Sequence, residues 1–217
     1  MPRVPDPHLP SRLVAAAVAE FARAGYARAS VDGIARAAGL TKGAVYSRFS
    51  TKEELFFAAL DGVRAELREA IRAPRTAEST GAGELTAVLG AWLGFHLLRP
   101  EAARLLAMTR AEVAGRPTAE LRADAREDLR ALRARLRQAL VRGAGDGTLD
   151  VRDPVLTAFL LTAGLQGVLA QWLAAPVDVE ALGSPATLAD ALVEPLRTGA
   201  APGDRGAGVG FIPPLPG

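Results

Sequence analysis

Apolar positions recur at helical spacing through most of this 217-residue chain, and no stretch alternates in the way a half-buried strand requires. The first stripe is Leu13, Val14, Ala17, Val18 and Phe21. It predicts a helix from about Leu9 to Ala24, stopped by Gly25. Two short helices then follow Ser30 and Thr41, whose hydroxyls are suited to N-caps. Gly39 lies between them and supplies a turn in which positive φ is cheap only for glycine. Ile34, Ala35 and Ala38 face inward from the first of these helices, and Val45 and Phe49 from the second. A fourth helix opens at Thr51, where Thr51 and Glu54 fit a capping box, and runs to about Arg72 before Pro74.

The pattern continues as a loop over Pro74–Gly83 and helices over about Glu84–Leu98, Glu101–Val113 and Thr118–Arg142. A turn over Gly143–Asp153 contains Gly-Asp-Gly. A helix apolar on all sides, about Pro154–Leu173, and a last one over about Pro185–Arg197 complete the order. The Gly/Pro-rich stretch after Thr198 and the first eight residues read as disordered. The fold class is all-α, a small helix-turn-helix head followed by a helical bundle. The boundaries are 1–54 for the head, 55–198 for the bundle, and 199–217 for the tail.

Composition narrows the chemistry. Cysteine is absent and the only histidines are His8 and His96, so a thiolate or zinc centre is not expected. No cofactor and no catalytic group is read from the chain. The Glu-x-x-His spacing of a carboxylate-bridged metal bundle is missing around His96, which leaves little material for an enzyme. With no signal-like start and no run of about 18 consecutive apolar residues, the expectation is a cytoplasmic protein without membrane contact. Net charge is only +2, but it is unevenly spread. Phe21–Lys52 carries six cations against Asp32 alone, and it holds the only two lysines of the chain, Lys42 and Lys52. A basic head on a mildly acidic body suits a polyanionic partner.

The segment Val31–Leu60 resembles the TetR family of bacterial transcriptional regulators. The shared residues are Val31, Ile34-Ala35, Ala38-Gly39, Lys42-Gly43, Val45-Tyr46, Phe49 and Thr51-Lys52-Glu53-Glu54-Leu55, with Gly25-Tyr26 upstream. Arg48 stands where many members carry His. The resemblance implies a homodimer on a palindromic double-stranded operator, with the second helix of the motif in the major groove. The implied DNA-binding set is Ser30, Thr41, Lys42, Gly43, Ala44, Tyr46, Ser47, Arg48, Thr51 and Lys52. Tyr46 is assigned to a phosphate through its hydroxyl, since Val45 and Phe49 already fill the inward positions. Gly43 and Ala44 are small enough for close approach to the groove, Lys42 can reach a guanine edge or a phosphate, and Thr51 is already explained as a cap. Asp32 and Arg36 read as solvated.

In the bundle, His96 falls within the stripe of Leu85, Val88, Leu89 and Trp92, and Gln166 on a face with Phe159, Thr162 and Leu169. Polar groups on apolar faces need a partner, water or a guest. The candidate ligand-binding set is Trp92, Phe95, His96, Met108, Phe159, Gln166 and Trp172. It points to a small hydrophobic effector rather than a free acid, on the premise that no Arg or Lys shares these inner faces. Leu156, Leu160, Ala163, Gly164 and Gly167 suggest a homodimer through the last two helices. The function expected is a ligand-responsive repressor. The alternative is a helical interaction module or an enzyme without DNA affinity.

Overall fold

The computed structural model describes residues 9–72, 80–108 and 119–199, with backbone only for Leu9 and residues 119–125. Its helices are α1 (Leu9–Arg28), α2 (Val31–Ala37), α3 (Lys42–Tyr46), α4 (Lys52–Ile71) and α5 (Gly81–Leu97). They continue as α6 (Pro100–Met108), α7 (Ala119–Gly145), α8 (Pro154–Ala174), α9 (Pro176–Glu180) and α10 (Pro185–Val193), with a 3-10 turn over Glu194–Leu196. The described residues hold no strand, only one antiparallel bridge between Leu149 and Arg197. The protein is all-α. The expected disorder of residues 1–8 and 200–217, the Pro74 break and the end of α6 near Val113 fall outside the described residues.

Local chemistry sets the helix ends. Ser30, Thr41 and Thr51 each accept a hydrogen bond from the backbone N–H three residues on. The Glu54 carboxylate accepts from the N–H of Ser50 at 2.6 Å, one residue before the expected cap partner. Gly25 breaks the helix as expected, with φ 73° and ψ 159°, but the chain resumes helical hydrogen bonding to Arg28. α9 is a short helix that the sequence pattern does not announce. It has five residues, a proline near its start and no side-chain cap.

The expected loop end at Gly83 is a correction. α5 begins at Gly81, because the Thr80 hydroxyl accepts from the Gly83 N–H at 3.1 Å and the turn after α7 supplies two further caps. Asp146 accepts from the N–H of Gly81 at 2.7 Å, and the Thr148 hydroxyl accepts from the N–H of Ala82 at 3.1 Å. These contacts outweigh the poor helix propensity of two glycines. The Asp146 carboxyl is held below its usual range, first by the Thr148 hydroxyl and then by the Gly81 N–H.

Two apolar clusters fill the interior. One joins α1–α4 to Phe95, Ala102 and Leu105 and is built around Phe21, Ile34, Leu55, Phe56 and Leu60. The other lies among α5, α7, α8 and α10. α4 contributes Phe56, Leu60 and Val63 to the first cluster, and Leu67 packs against both, so α4 joins head to bundle. Buried Glu84 on α5 pairs with Arg135 at 3.3 Å and Arg142 at 3.5 Å, fixing α5 to α7. α8 is long and apolar enough in composition to cross a membrane, with mean hydropathy 1.4, although Thr157, Thr162, Gln166 and Gln171 interrupt it. Only a third of that stretch is buried. Its buried side is Ala158, Leu161, Thr162, Leu165, Leu169 and Trp172, and its open side includes Leu156, Phe159 and Leu160.

Candidate nucleic-acid interface

α3 is five residues long and only Val45 of it is buried. A helix this short does not persist alone. It is held at one end by the Thr41 cap, whose hydroxyl accepts from Ala44 at 3.2 Å, and underneath by Val45 against the head core. Everything else on it faces outward. Lys42, Gly43, Tyr46, Ser47 and Arg48 are exposed, with Tyr46 41% exposed, and Ala44 is half-buried. A Cβ on Gly43 would meet nothing nearer than the Thr41 hydroxyl at 4.0 Å, so the surface there is open to close approach.

The turn before α3 needs glycine. Gly39 has φ +70°, and a Cβ there would stand 3.0 Å from Arg12 Nη2. That nitrogen donates to the Ala38 carbonyl at 2.6 Å, so α1 clamps the turn from behind. The pattern of apolar positions gave no sign of this role for Arg12, which reads as an ordinary surface cation. Gly39→Val should destabilise the fold by on the order of 2 kcal/mol, through forced positive φ and displacement of the clamp. Chemical denaturation checks this, and unchanged stability would mean that the turn relaxes freely.

Glu20 is a second α1 residue that the sequence did not single out. One of its oxygens accepts from Arg23 at 2.6 Å and the other from the Ser30 N–H at 3.1 Å, which ties α1 to the start of α2. The Arg23 hydrogen bond, followed by that of Ser30, holds the carboxyl below its ordinary value of 4.5. A depressed carboxyl stabilises the fold above its unfolded value and loses that effect as pH falls through the folded one. Glu20→Gln should therefore be less stable than the wild type near neutrality, and the gap should close as the solution is acidified below the ordinary carboxylate range. Paired thermal melts read the gap. A gap that stayed constant with pH would remove this role.

The cations are not all presented freely. Lys42 pairs with Asp32 at 3.1 Å, with both side chains more than half exposed, so Asp32 is not simply solvated as expected. Lys52 donates to the Ala27 carbonyl at 3.1 Å and lies 4.9 Å above the Tyr26 ring. Burial, then the Glu53 charge, pushes the Tyr26 hydroxyl up. An exposed pair such as Lys42–Asp32 is worth about 0–1 kcal/mol, so a phosphate can replace Asp32 at little cost. Ser30 and Thr51 act as caps, and the Ser47 hydroxyl donates to the Ala44 carbonyl at 2.9 Å.

The candidate ligand-binding residues do not converge. Trp92 and His96 line an interior cavity of about 70 Å³ between α4, α5, α6 and α7. Their rings stack at 3.9 Å, and His96 Nδ1 lies 2.8 Å from the Trp92 carbonyl. Phe95 and Met108 instead pack with the head cluster. Phe159 is 52% exposed, with the Arg133 guanidinium 5.6 Å over its ring, and Gln166 and Trp172 lie on α8 away from the cavity. Phe159 departs because α8 packs its opposite side inward, and Trp172, on that inward side, is taken up by the bundle core.

The premise against a free acid is also overturned. Arg64 is 4% exposed and lines the cavity together with Arg68 and Asp128. The signal was present in the sequence: Arg64 stands in the stripe Leu60, Leu67, Ile71 of α4, at helical spacing.

Comparison with known proteins agrees with this geometry. The description "Bacterial regulatory proteins, tetR family" matches residues 13–59, which span α1 to the first turns of α4. A transcriptional regulator from Rhodococcus sp. Rha1 is similar at 28% identity and TM-score 0.65, over 85% of this chain and 92% of its own. A TetR-like transcriptional regulator from Rhodococcus sp. RHA1 is similar at 20% identity and TM-score 0.69, over 88% and 97%. A TetR transcriptional regulator from Chloroflexus aurantiacus is similar at 22% identity and TM-score 0.67, again over 88% and 97%. With a capped, outward-facing α3 inside the matched segment, residues 13–59 are similar to the N-terminal segment of the tetR family of bacterial regulatory proteins, and the chain as a whole shares the fold of TetR-like transcriptional regulators.

Proposed function

We propose that the protein is a ligand-responsive homodimeric repressor. In this reading residues 1–54 form the DNA-reading head, and residues 55–198 form the dimerisation and effector domain. The observation that carries the reading is α3, which buries Val45 alone and turns a basic, hydroxyl-bearing face outward. Lys42, Tyr46, Ser47 and Arg48 meet the groove and its phosphates, Gly43 and Ala44 allow the close approach, and Lys52 adds a phosphate contact. Ser30, Thr41 and Thr51 lie at helix starts whose backbone amides favour phosphate.

The open side of α8 supports the dimer. Leu156, Phe159 and Leu160 are more than half exposed, and a Cβ on Gly167 would meet nothing within 4 Å. Exposed apolar surface of that kind mates with a second copy when a two-fold places the same stripe opposite itself. In this reading α10, whose Leu192 would lie 4.0 Å from a Cβ on Gly164 of α8, completes the contact. Two heads then sit about 34 Å apart, matching successive major grooves. A small molecule seated near Trp92 and His96 favours a differently spaced pair of heads and releases the DNA, which requires unequal affinity for the two states. The experiment is sedimentation of the protein on duplexes from beside its own gene. Two protomers per palindromic site are expected, and monomers binding half-sites with full affinity would contradict the reading.

A further inference from the structure

We propose that charge orients the second copy: the arginine edge of α7 in one protomer pairs with the Asp190–Glu194 edge of α10 in its partner. The proposal rests on the dimer reading above and deepens it. Arg126, Arg130, Arg133 and Arg137 recur at helical spacing and share one face of α7. That face borders the open side of α8, since the Arg133 guanidinium stands 5.6 Å over the Phe159 ring. Of these four, only Arg130 has an anion among the described residues, Glu127 at 3.5 Å. The Nε of Arg133 is buried with no acceptor. The opposite edge carries the opposite sign. Ala189 and Val193 of α10 are buried and Leu192 faces α8, so Asp190 and Glu194 fall on the side of α10 away from α8. They share one cation, Arg197, at 3.6 Å and 3.1 Å, and both side chains are mostly exposed. Two carboxylates against one guanidinium leave a negative surplus, and four arginines against Glu127 leave a positive one.

A basic edge, an apolar stripe and an acidic edge are complementary to themselves under one kind of two-fold. An axis that lies in the surface and runs along the helices turns each basic edge onto the partner's acidic edge, so every pair forms twice. An axis across the helices sets arginine against arginine, which is repulsive. The first axis also suits the heads. Gly143 meets Leu149 and Arg133 meets Phe159, so α7 and α8 run antiparallel. α5 starts at the same end, with Gly81 against Gly143, and reaches the head cluster at Phe95. The helices therefore run between the head and the far end of the bundle. An axis along them keeps both heads at one end, as a single operator requires. An axis across them sends the heads to opposite ends.

The test uses two charge-reversed forms of the full chain, Arg133→Glu/Arg137→Glu and Asp190→Arg/Glu194→Arg. Sedimentation at low salt follows each alone and the two mixed. Each alone should dimerise about tenfold or more weakly than the wild type, because like charges then face each other across the two-fold. The equimolar mixture should form heterodimers within about threefold of the wild-type affinity, since both edges are again opposite in sign. Recovery in the mixture also shows that both variants are folded. Wild-type dimerisation by both variants alone, or a mixture that associates no better than its components, would overturn the proposal. If Leu160→Glu is monomeric while both charge variants dimerise fully, the edge pairing fails and the α8 contact stands. A monomeric wild type, or a dimeric Leu160→Glu protein, would overturn the α8 contact and this pairing with it.

Discussion

Gly81→Ala is expected to lower stability by about 3 kcal/mol or more, a fall of roughly 10 °C in melting temperature for a chain of this size. A Cβ at Gly81 would stand 2.0 Å from the Gly143 nitrogen, 2.2 Å from its Cα and 2.7 Å from the Arg142 carbonyl carbon. All three are backbone atoms, so no rotamer change relieves the clash. Gly143 is equally closed, since a Cβ there would lie 2.4 Å from Leu149 Cδ1. The start of α5 and the end of α7 therefore meet at backbone contact, and the Asp146 and Thr148 caps depend on that contact. Gly145→Ala is the control. It has no neighbour within 4 Å, so helix propensity alone should stabilise it by up to about 1 kcal/mol. Thermal melts of the two variants compare the effects directly, and equal melting temperatures would show that the crossing is looser than described.

Leu160→Glu is expected to give monomers and to weaken binding to a full palindromic site by at least about 100-fold. Leu160 is 58% exposed on the open side of α8, so the substitution costs the isolated protomer little. In a two-fold dimer it would place two carboxylates close together in an apolar contact, where both must lose water. Each head would keep its own affinity for a half-site, but the effective concentration supplied by the second head would be gone. Sedimentation and DNA titration of the same preparation separate these effects. A dimeric Leu160→Glu protein with full operator affinity would move the interface elsewhere.

The head was legible because its signals are local. Ser30, Thr41 and Thr51 cap the helices that follow them, and Gly39 takes positive φ, all from residue types that have few other reasons to stand at such spacings. What was not legible depends on distant partners. The start of α5 looked like loop, because the amides of Gly81 and Ala82 are capped by Asp146 and Thr148, more than sixty residues on, and only that of Gly83 by the neighbouring Thr80. Phe159 looked like a pocket residue because a helix apolar on every side does not say which face turns inward. Arg12 and Glu20 looked like surface charges, since only the packing of α1 behind the turn brings them to the Ala38 carbonyl and the Ser30 amide. Arg64 was hidden by expectation rather than by pattern, for an arginine within an apolar stripe is usually taken to extend its head to water.

The most direct measurement is an anisotropy titration of duplex DNA from beside the gene, at a fixed moderate salt concentration, with the wild type and with a Lys42→Ala/Tyr46→Phe double variant. Both residues are exposed on α3, so the variant should keep the wild-type melting temperature. The account predicts saturable, sequence-preferring binding by the wild type, weakened about tenfold or more in the variant. Absence of duplex binding by the wild type at low salt, or equal affinity of the two proteins, would contradict the assignment of α3 to the groove.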